Sequence, residues 1–276
     1  MGGSTIFPSC SFITGGKVKK TIAAKLPDPA TWQSSTLRLT AFLGPTARVS
    51  ENTWWADLIG KPPESRTIRQ QKGEQNDQGP FEQGTIALNV NPARVDWLFV
   101  PKVDPEKFEG NMPTVGSFPE VVDLFLKFMQ RWLTPPMCPP IQRLAFGAIL
   151  HQPVDRRASG YALLNSFLPA VDVDPQNSSD LLYQINRPRQ STCGVKDLLI
   201  NRVSKWSVMS VQFVGIQVDQ APTTKILGPE NFACNVELDI STDKEFQSEL
   251  PREQLSIIFQ ELVELGKEIA RDGDIP

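Results

Sequence analysis

The stretch Thr134-Pro135-Pro136-Met137-Cys138-Pro139-Pro140 divides the chain nearly in half. Its four prolines exclude a helix and favour an extended spacer. The sequence therefore predicts four parts, which are an N-terminal extension at 1–34, a first half at 35–133, the spacer at 134–140 and a second half at 141–276.

A helix is predicted immediately before the spacer, over 118–133. It begins with Ser117-Phe118-Pro119-Glu120, which has the form of a capping box with proline in the first turn. Apolar residues then recur at helical spacing. They are Val121, Phe125, Phe128, Met129 and Trp132.

A strand is predicted immediately after the spacer, because Leu144, Phe146, Ala148 and Leu150 alternate with mostly apolar neighbours. Such a strand is typical of the centre of a sheet. Near the chain's end, Leu255, Ile258, Phe259, Leu262, Leu265 and Ile269 predict an amphipathic helix over about 251–271. Six residues should be well buried: Phe125, Phe128, Trp132, Phe146, Phe259 and Leu262.

Both halves show one predicted order of elements, β-α-β-β-β-α. The first half has strands at 36–43, 65–71, 84–91 and 94–100, with a short helix at 50–60. The second has apolar runs near 181–186, 195–201, 208–218 and 232–240, with a helix at about 156–168. Leu37, Leu39, Ala41 and Leu43 align with Leu144, Phe146, Ala148 and Leu150 at a constant shift, which favours an internal duplication.

The predicted fold class is α+β. Two such units can join edge to edge into one antiparallel sheet with helices packed on one face, which removes two exposed edges. This order resembles that of the saddle of the TATA-box-binding proteins. The resemblance concerns the order of elements and implies no function.

Composition and charge indicate a soluble, cytoplasmic protein. The 28 basic and 31 acidic residues nearly balance, so no overall field attracts nucleic acid or an anionic membrane. Four widely spaced cysteines suit free thiols in a reducing compartment. The start has no signal-peptide pattern, and no apolar run approaches the ~18 residues of a membrane span.

Catalytic and cofactor signatures are weak, so no cofactor and no metal site is predicted. His151 is the single histidine, which excludes multi-histidine metal sites, and a structural role is favoured for it. Gly15-Gly16-Lys17 lacks the remaining residues of a phosphate loop and indicates a turn. Glu237 and Asp239 should project from one strand face, which suits a metal but is also typical of an ordinary polar face.

The most distinctive motif is a repeated Ile-Asn-Arg. It occurs at Ile185-Asn186-Arg187, followed by Arg189, and again at Ile200-Asn201-Arg202, with Trp206 nearby. Arg94 and Trp97 form a similar segment in the first half. Arginine binds carboxylates or phosphates, and tryptophan can stack on a base or ring. We expect Asn186, Arg187, Arg189, Asn201 and Arg202 to lie together on one exposed surface, unless the protein's own acids, such as Asp180 or Asp197, pair with the arginines.

Three functions follow in order of preference. The first is a non-enzymatic adaptor or assembly subunit that binds a protein partner through a sheet face and the Asn/Arg segments. The second is a nucleic-acid-binding accessory protein that uses Arg94, Arg187, Arg189, Arg202 and Lys205. The third is an enzyme that works through carboxylates and a metal, or through Cys138 or Cys193 as nucleophile. The oligomeric state is not predicted.

Overall fold

The structure is a computed structural model that describes residues 28, 31–45, 47, 49, 52–104, 111–217, 223–246 and 248–276, the side chains at 214–217, 223–225 and 227 excepted. The described part contains ten strands and four α-helices. The strands are β1 (Gln33–Leu43), β2 (Ser65–Arg69), β3 (Glu74–Phe81), β4 (Gly84–Asn91), β5 (Arg94–Pro101), β6 (Ile141–Val154), β7 (Leu182–Asn186), β8 (Arg189–Gln190), β9 (Leu199–Gln217) and β10 (Thr223–Thr242). The helices are α1 (Trp54–Ile59), α2 (Phe118–Leu133), α3 (Arg157–Phe167) and α4 (Leu255–Asp272).

All ten strands form one antiparallel sheet, which confirms the α+β class. Its order is β2-β3-β4-β5-β1-β6-β10-β9-β7, and β8 also pairs with β9. The first strand of each half lies at the centre, where Leu39 of β1 pairs directly with Phe146 of β6. A twofold relation between the halves would produce this mirrored order, and the duplication itself stays a prediction.

Each half has one strand more than the predicted order. In the first half the missed strand is β3, which pairs with β2 and β4. In the second half the short β8 was not predicted, and the end of the run near 195–201 and the run near 208–218 lie in one long strand, β9. β9 and β10 form a hairpin that continues beyond the end of β6, because the pairing of β10 with β6 stops at Phe232.

The helices pack on one face of the sheet, as predicted. Aromatic rings join the two layers: Trp55 of α1 stacks on Trp97, Phe259 of α4 contacts Phe146 with ring centroids 6.1 Å apart, and Phe167 of α3 stacks on Trp206. Each of the six predicted core residues is buried. The core is one continuous cluster with residues from both halves.

Several boundaries differ from the predictions. The chain is already part of the core at Trp32, which is buried and donates its indole N–H to the carbonyl of Ala270 at 2.8 Å. The predicted turn at Gly15-Gly16 lies outside the described residues. Helix α2 begins as predicted, but Ser117 makes no capping hydrogen bond through its side chain.

Within the described residues, no helix combines the length and apolarity needed to cross a bilayer.

Candidate functional site

The three arginines of the repeated motif lie together at the β7–β9 edge of the sheet, but each is paired with an acid of the protein. Both Arg187 Nε and Arg187 Nη2 donate to Asp274, the latter at 2.8 Å. Both terminal nitrogens of Arg189 donate to Glu268 at 2.9 Å. Arg202 also donates to Glu268, at 3.3 Å.

This arginine clamp, which consists of Arg187, Arg189 and Arg202 with Glu268 and Asp274, fastens the edge of the sheet to the end of α4. The acids come from α4 and the residues just after it, not from Asp180 or Asp197 as the sequence suggested. Arg187 lowers the pKa of Asp274, and Arg189 lowers the pKa of Glu268. The clamp therefore joins α4 to the edge of the sheet, and each of its three arginines is already paired with an acid of the protein.

Arg202 is the most buried arginine of the clamp, with 2% of its side chain exposed. Burial, followed by the nearby charge of Arg189, lowers its pKa. Its Nε has no hydrogen-bond partner. Removing Glu268 would therefore leave a buried cation with little compensation.

The asparagines of the motif lie on the other face of the sheet. Consecutive residues of a strand point to opposite faces, so Asn201 and Arg202 cannot share one surface. Asn186 donates to Asn201 Oδ1 at 2.8 Å, and its own Oδ1 accepts the backbone N–H of Arg202 at 2.9 Å. The expected single exposed cluster is therefore divided between two faces.

The first-half segment is also engaged inside the protein. Arg94 Nε donates to Asp96 at 2.7 Å, and Asp96 accepts the hydroxyl of Thr40 at 2.6 Å. Trp97 and Trp206 are fully buried in the core. Neither indole has surface on which a partner's base or ring could stack.

The face of the sheet opposite the helices, here called the open face, carries many polar side chains. Residues directly opposite one another on neighbouring strands project from the same face, so the register identifies its members. One row runs across the sheet from β2 to β9. It consists of Thr67, Asn76, Asn89, Asp96, Thr40, Ala145, Ser241 and Asn201.

An open depression of about 410 Å³ lies at the centre of this face. Arg38 of β1 pairs with Gly147 of β6, which in turn pairs with Asp239 of β10. Lys205 of β9 and Glu237 of β10 form an ion pair of 2.9 Å at its wall. We call these five residues, Arg38, Gly147, Lys205, Glu237 and Asp239, the central site.

Arg38 differs from the other cations of the open face. Arg94 pairs with Asp96, and Arg143 donates to Ser241 and to the carbonyl of Thr242 and lies over the ring of Phe42. Arg38 makes no hydrogen bond or ion pair within the described part of the chain, and its Nε is buried without a partner. Sequence reasoning missed this residue.

The two acids of the central site lie on one strand, β10. Glu237 and Asp239 project from one face of β10, as predicted, but Glu237 is used by Lys205. Among the described residues, no group of three His, Cys, Asp or Glu side chains could hold a metal ion. His151 is buried, and burial lowers its pKa.

Comparison of the chain with known protein families, with curated proteins and with solved structures finds no match. The resemblance to the saddle of the TATA-box-binding proteins therefore remains one of element order.

Proposed function

We propose that the protein is a non-enzymatic binding module that holds a protein partner on the open face of its sheet. The observation that carries this proposal is Arg38, a cation without a partner in the described structure, at the centre of a face that no described helix covers. Arginine presents five donors in a rigid fork, and a partly buried guanidinium without acceptors is costly unless a ligand supplies them.

The balance of charge favours a protein over a nucleic acid. In the central site the two cations, Arg38 and Lys205, are matched by Glu237 and Asp239. A nucleic-acid backbone would bring phosphates close to both carboxylates, whereas binding nucleic acid requires a patch with an excess of cations. A protein surface that carries charges of both signs complements the site better.

A non-enzymatic role is supported by the position of His151. It is the single histidine, and its burial favours the neutral form and keeps it from a bound substrate. The proposal therefore rests on recognition of a surface and not on proton transfer.

We further propose a cytoplasmic location. Three cysteines, Cys138, Cys193 and Cys234, are free thiols. Burial raises the pKa of the Cys138 and Cys234 thiols, the latter to about 12, so both are held as unreactive thiols. Unpaired cysteines of this kind suit a reducing compartment.

Site-specific photocrosslinking in the native cell tests the proposal. A photoreactive amino acid would replace Ile149, which is 39% exposed beside the central site, or Ile257, which is 54% exposed on α4. We expect one crosslinked protein from position 149 and none from position 257. The crosslinked protein, once identified and purified, should bind the chain in a two-component titration.

Two results would contradict the proposal. Equal crosslinking from positions 149 and 257 would show that the open face is not selective. Binding of a DNA or RNA duplex that weakens steeply with salt, with crosslinks from position 149 to nucleic acid, would replace the protein partner by a polyanion.

A further inference from the structure

Arg38 lies flat over a glycine, and this arrangement sets its position. A β-carbon at Gly147 would lie 3.1 Å from Arg38 Nη2 and 3.2 Å from Nε, which is closer than most real contacts of this kind. The three atoms nearest to that β-carbon all belong to the Arg38 guanidinium. The absence of a side chain at Gly147 therefore allows the guanidinium to lie directly against the backbone of β6.

The same arrangement leaves the guanidinium without acceptors. No described side chain or carbonyl accepts a hydrogen bond from Arg38, although Asp239 is only two strands away. Strands are about 4.8 Å apart, so the α-carbons of these two residues are separated by about 10 Å. The two side chains form no ion pair with each other within the described structure, so the guanidinium of Arg38 is available to groups of a ligand.

We propose that the central site binds an acidic side chain of the partner, with the partner's Asp or Glu carboxylate on Arg38 and a basic side chain of the same partner on Asp239. This inference rests on the proposed function and names the chemistry that the open face recognises. The planar fork of Arg38 matches a carboxylate through two parallel hydrogen bonds. The carboxylate and the basic group should lie close together on the partner, because the guanidinium lies over Gly147, the strand neighbour of Asp239.

A carboxylate fits the charges better than a phosphate does. Lys205 is already paired with Glu237, so Arg38 is the cation of the site that is available to balance an anion. A phosphate monoester carries a charge of about −1.5 to −2 at neutral pH and would be repelled by Glu237 and Asp239. A single negative charge is neutralised by Arg38 alone.

The test observes the Arg38 guanidinium directly by NMR, through the Nε–H resonances of the arginine side chains. The probes are N-acetyl-glutamate amide, its glutamine counterpart, N-acetyl-alanine with a free carboxylate, and inorganic phosphate. We expect a saturable shift of the Arg38 resonance with the glutamate probe and none with the glutamine probe. Phosphate and N-acetyl-alanine should bind at least about threefold more weakly.

Arg94 is the internal control, because Asp96 already occupies its guanidinium. A response of Arg38 no larger than that of Arg94 would overturn the inference. Tighter binding of phosphate would also overturn it, and tighter binding of N-acetyl-alanine would assign the site to a chain terminus instead of an acidic side chain.

Two variants test the geometry. Arg38→Lys keeps the charge but removes the fork, and we expect about tenfold weaker binding of the glutamate probe. Gly147→Ala displaces the guanidinium through its flexible end and should weaken binding by a similar factor. Asp239→Asn should strengthen binding of the glutamate probe and weaken binding of the whole partner, since it removes both the repulsion and the second contact. Unchanged affinities in all three would overturn the inference.

The inference and the proposed function can fail separately. If the crosslink from position 149 persists and Arg38→Lys binds the purified partner as tightly as the original chain, the open face is the docking surface but the carboxylate site is wrong. If position 149 gives no selective crosslink but the glutamate probe still shifts Arg38, the site binds a carboxylate and the protein-docking function is wrong.

Discussion

The two faces of the sheet use arginine in opposite ways. On the helix-covered face, the three arginines of the clamp are paired with Glu268 and Asp274 and secure α4. On the open face, Arg38 lies over Gly147 and is unpaired within the described residues. The difference teaches that arginines which face the acids of a packed helix have a structural role, even when they form a distinctive motif. A single arginine without a partner inside the protein is the better candidate for recognition.

The largest expected effect of a substitution is on the helix-covered face. Phe259 is fully buried and its ring contacts Phe125 and Phe146. Phe259→Ala should lower the free energy of unfolding by about 3–5 kcal/mol, because it leaves a cavity in the core. Urea denaturation would measure this loss. Ile149→Thr on the open face is the control and should change stability by less than about 1 kcal/mol. Similar losses in both variants would mean that the two faces do not differ in packing.

A second, smaller effect is expected in the arginine clamp. Asp274 is buried and accepts hydrogen bonds from Arg187 and Tyr183. Asp274→Asn should lower the free energy of unfolding by about 2–3 kcal/mol, because Arg187 loses its counter-charge. Asp239→Asn on the open face is the matched control and should change it by less than about 0.5 kcal/mol. If both substitutions prove neutral in thermal unfolding, the clamp does not stabilise the fold.

The ion pairs of Arg187 and Arg202 also determine how a double substitution should affect stability. Had Arg187 and Arg202 been exposed and unpaired, changing both to Ala would have left the melting temperature nearly unchanged. Because both are bound to acids of the α4 region, the double variant should melt at a lower temperature than the original chain.

The clamp should make stability depend on acid pH. Arg189 holds the pKa of Glu268 below its ordinary value of 4.5, and Arg187 holds that of Asp274 below 3.8. As the pH falls, these two carboxylates are protonated in the unfolded chain before they are protonated in the folded protein. The stabilisation is therefore fully present above the ordinary pKa values of the two groups and is lost as the pH falls through their lower folded-state pKa values. Melting temperatures between about pH 6 and pH 3 would show a steep decline. The decline should be shallower for Glu268→Gln with Asp274→Asn and unchanged for Asp239→Asn.

The periodicity of apolar residues was sufficient to predict the helices and strands that contribute most to the core. The bounds of α2 were predicted in full, and the alternation at 144–150 correctly indicated the central strand β6. Strand β3 was missed because Glu74-Gln75-Asn76-Asp77-Gln78 has no apolar alternation, and its strand conformation comes from pairing with β2 and β4. Strand β9 was divided in two because polar residues, including Ser204 and Lys205, occupy its middle.

The candidate site depended on information that one sequence lacks. That Asn201 and Arg202 point to opposite faces follows from strand geometry and could have been predicted. The acids of the clamp could not, since Glu268 lies 66 residues from Arg202 in the chain and Asp274 lies 87 residues from Arg187. Arg38 was one of 28 basic residues, and only the register of β1 on β6 places it over Gly147.

The smallest expected effects come from two glycines that face opposite sides of the sheet. A β-carbon at Gly266 of α4 would lie 2.8 Å from the ring of Phe146, which is fixed in the core. Alanine is about 1 kcal/mol better than glycine in a helix, but overpacking of a core costs about 1–3 kcal/mol, so Gly266→Ala should destabilise the protein by about 1 kcal/mol. At Gly147 the neighbour is the flexible end of Arg38, which can move aside at a small cost. Alanine is favoured over glycine in a strand by about 0.5–1 kcal/mol, and this gain offsets that cost. Gly147→Ala should therefore leave the free energy of unfolding unchanged within about 0.5 kcal/mol, while it weakens binding of the glutamate probe. If Gly147→Ala destabilises the protein as much as Gly266→Ala does, the guanidinium of Arg38 is held as rigidly as the core, and the distinction between a scaffold face and a binding face fails at its centre.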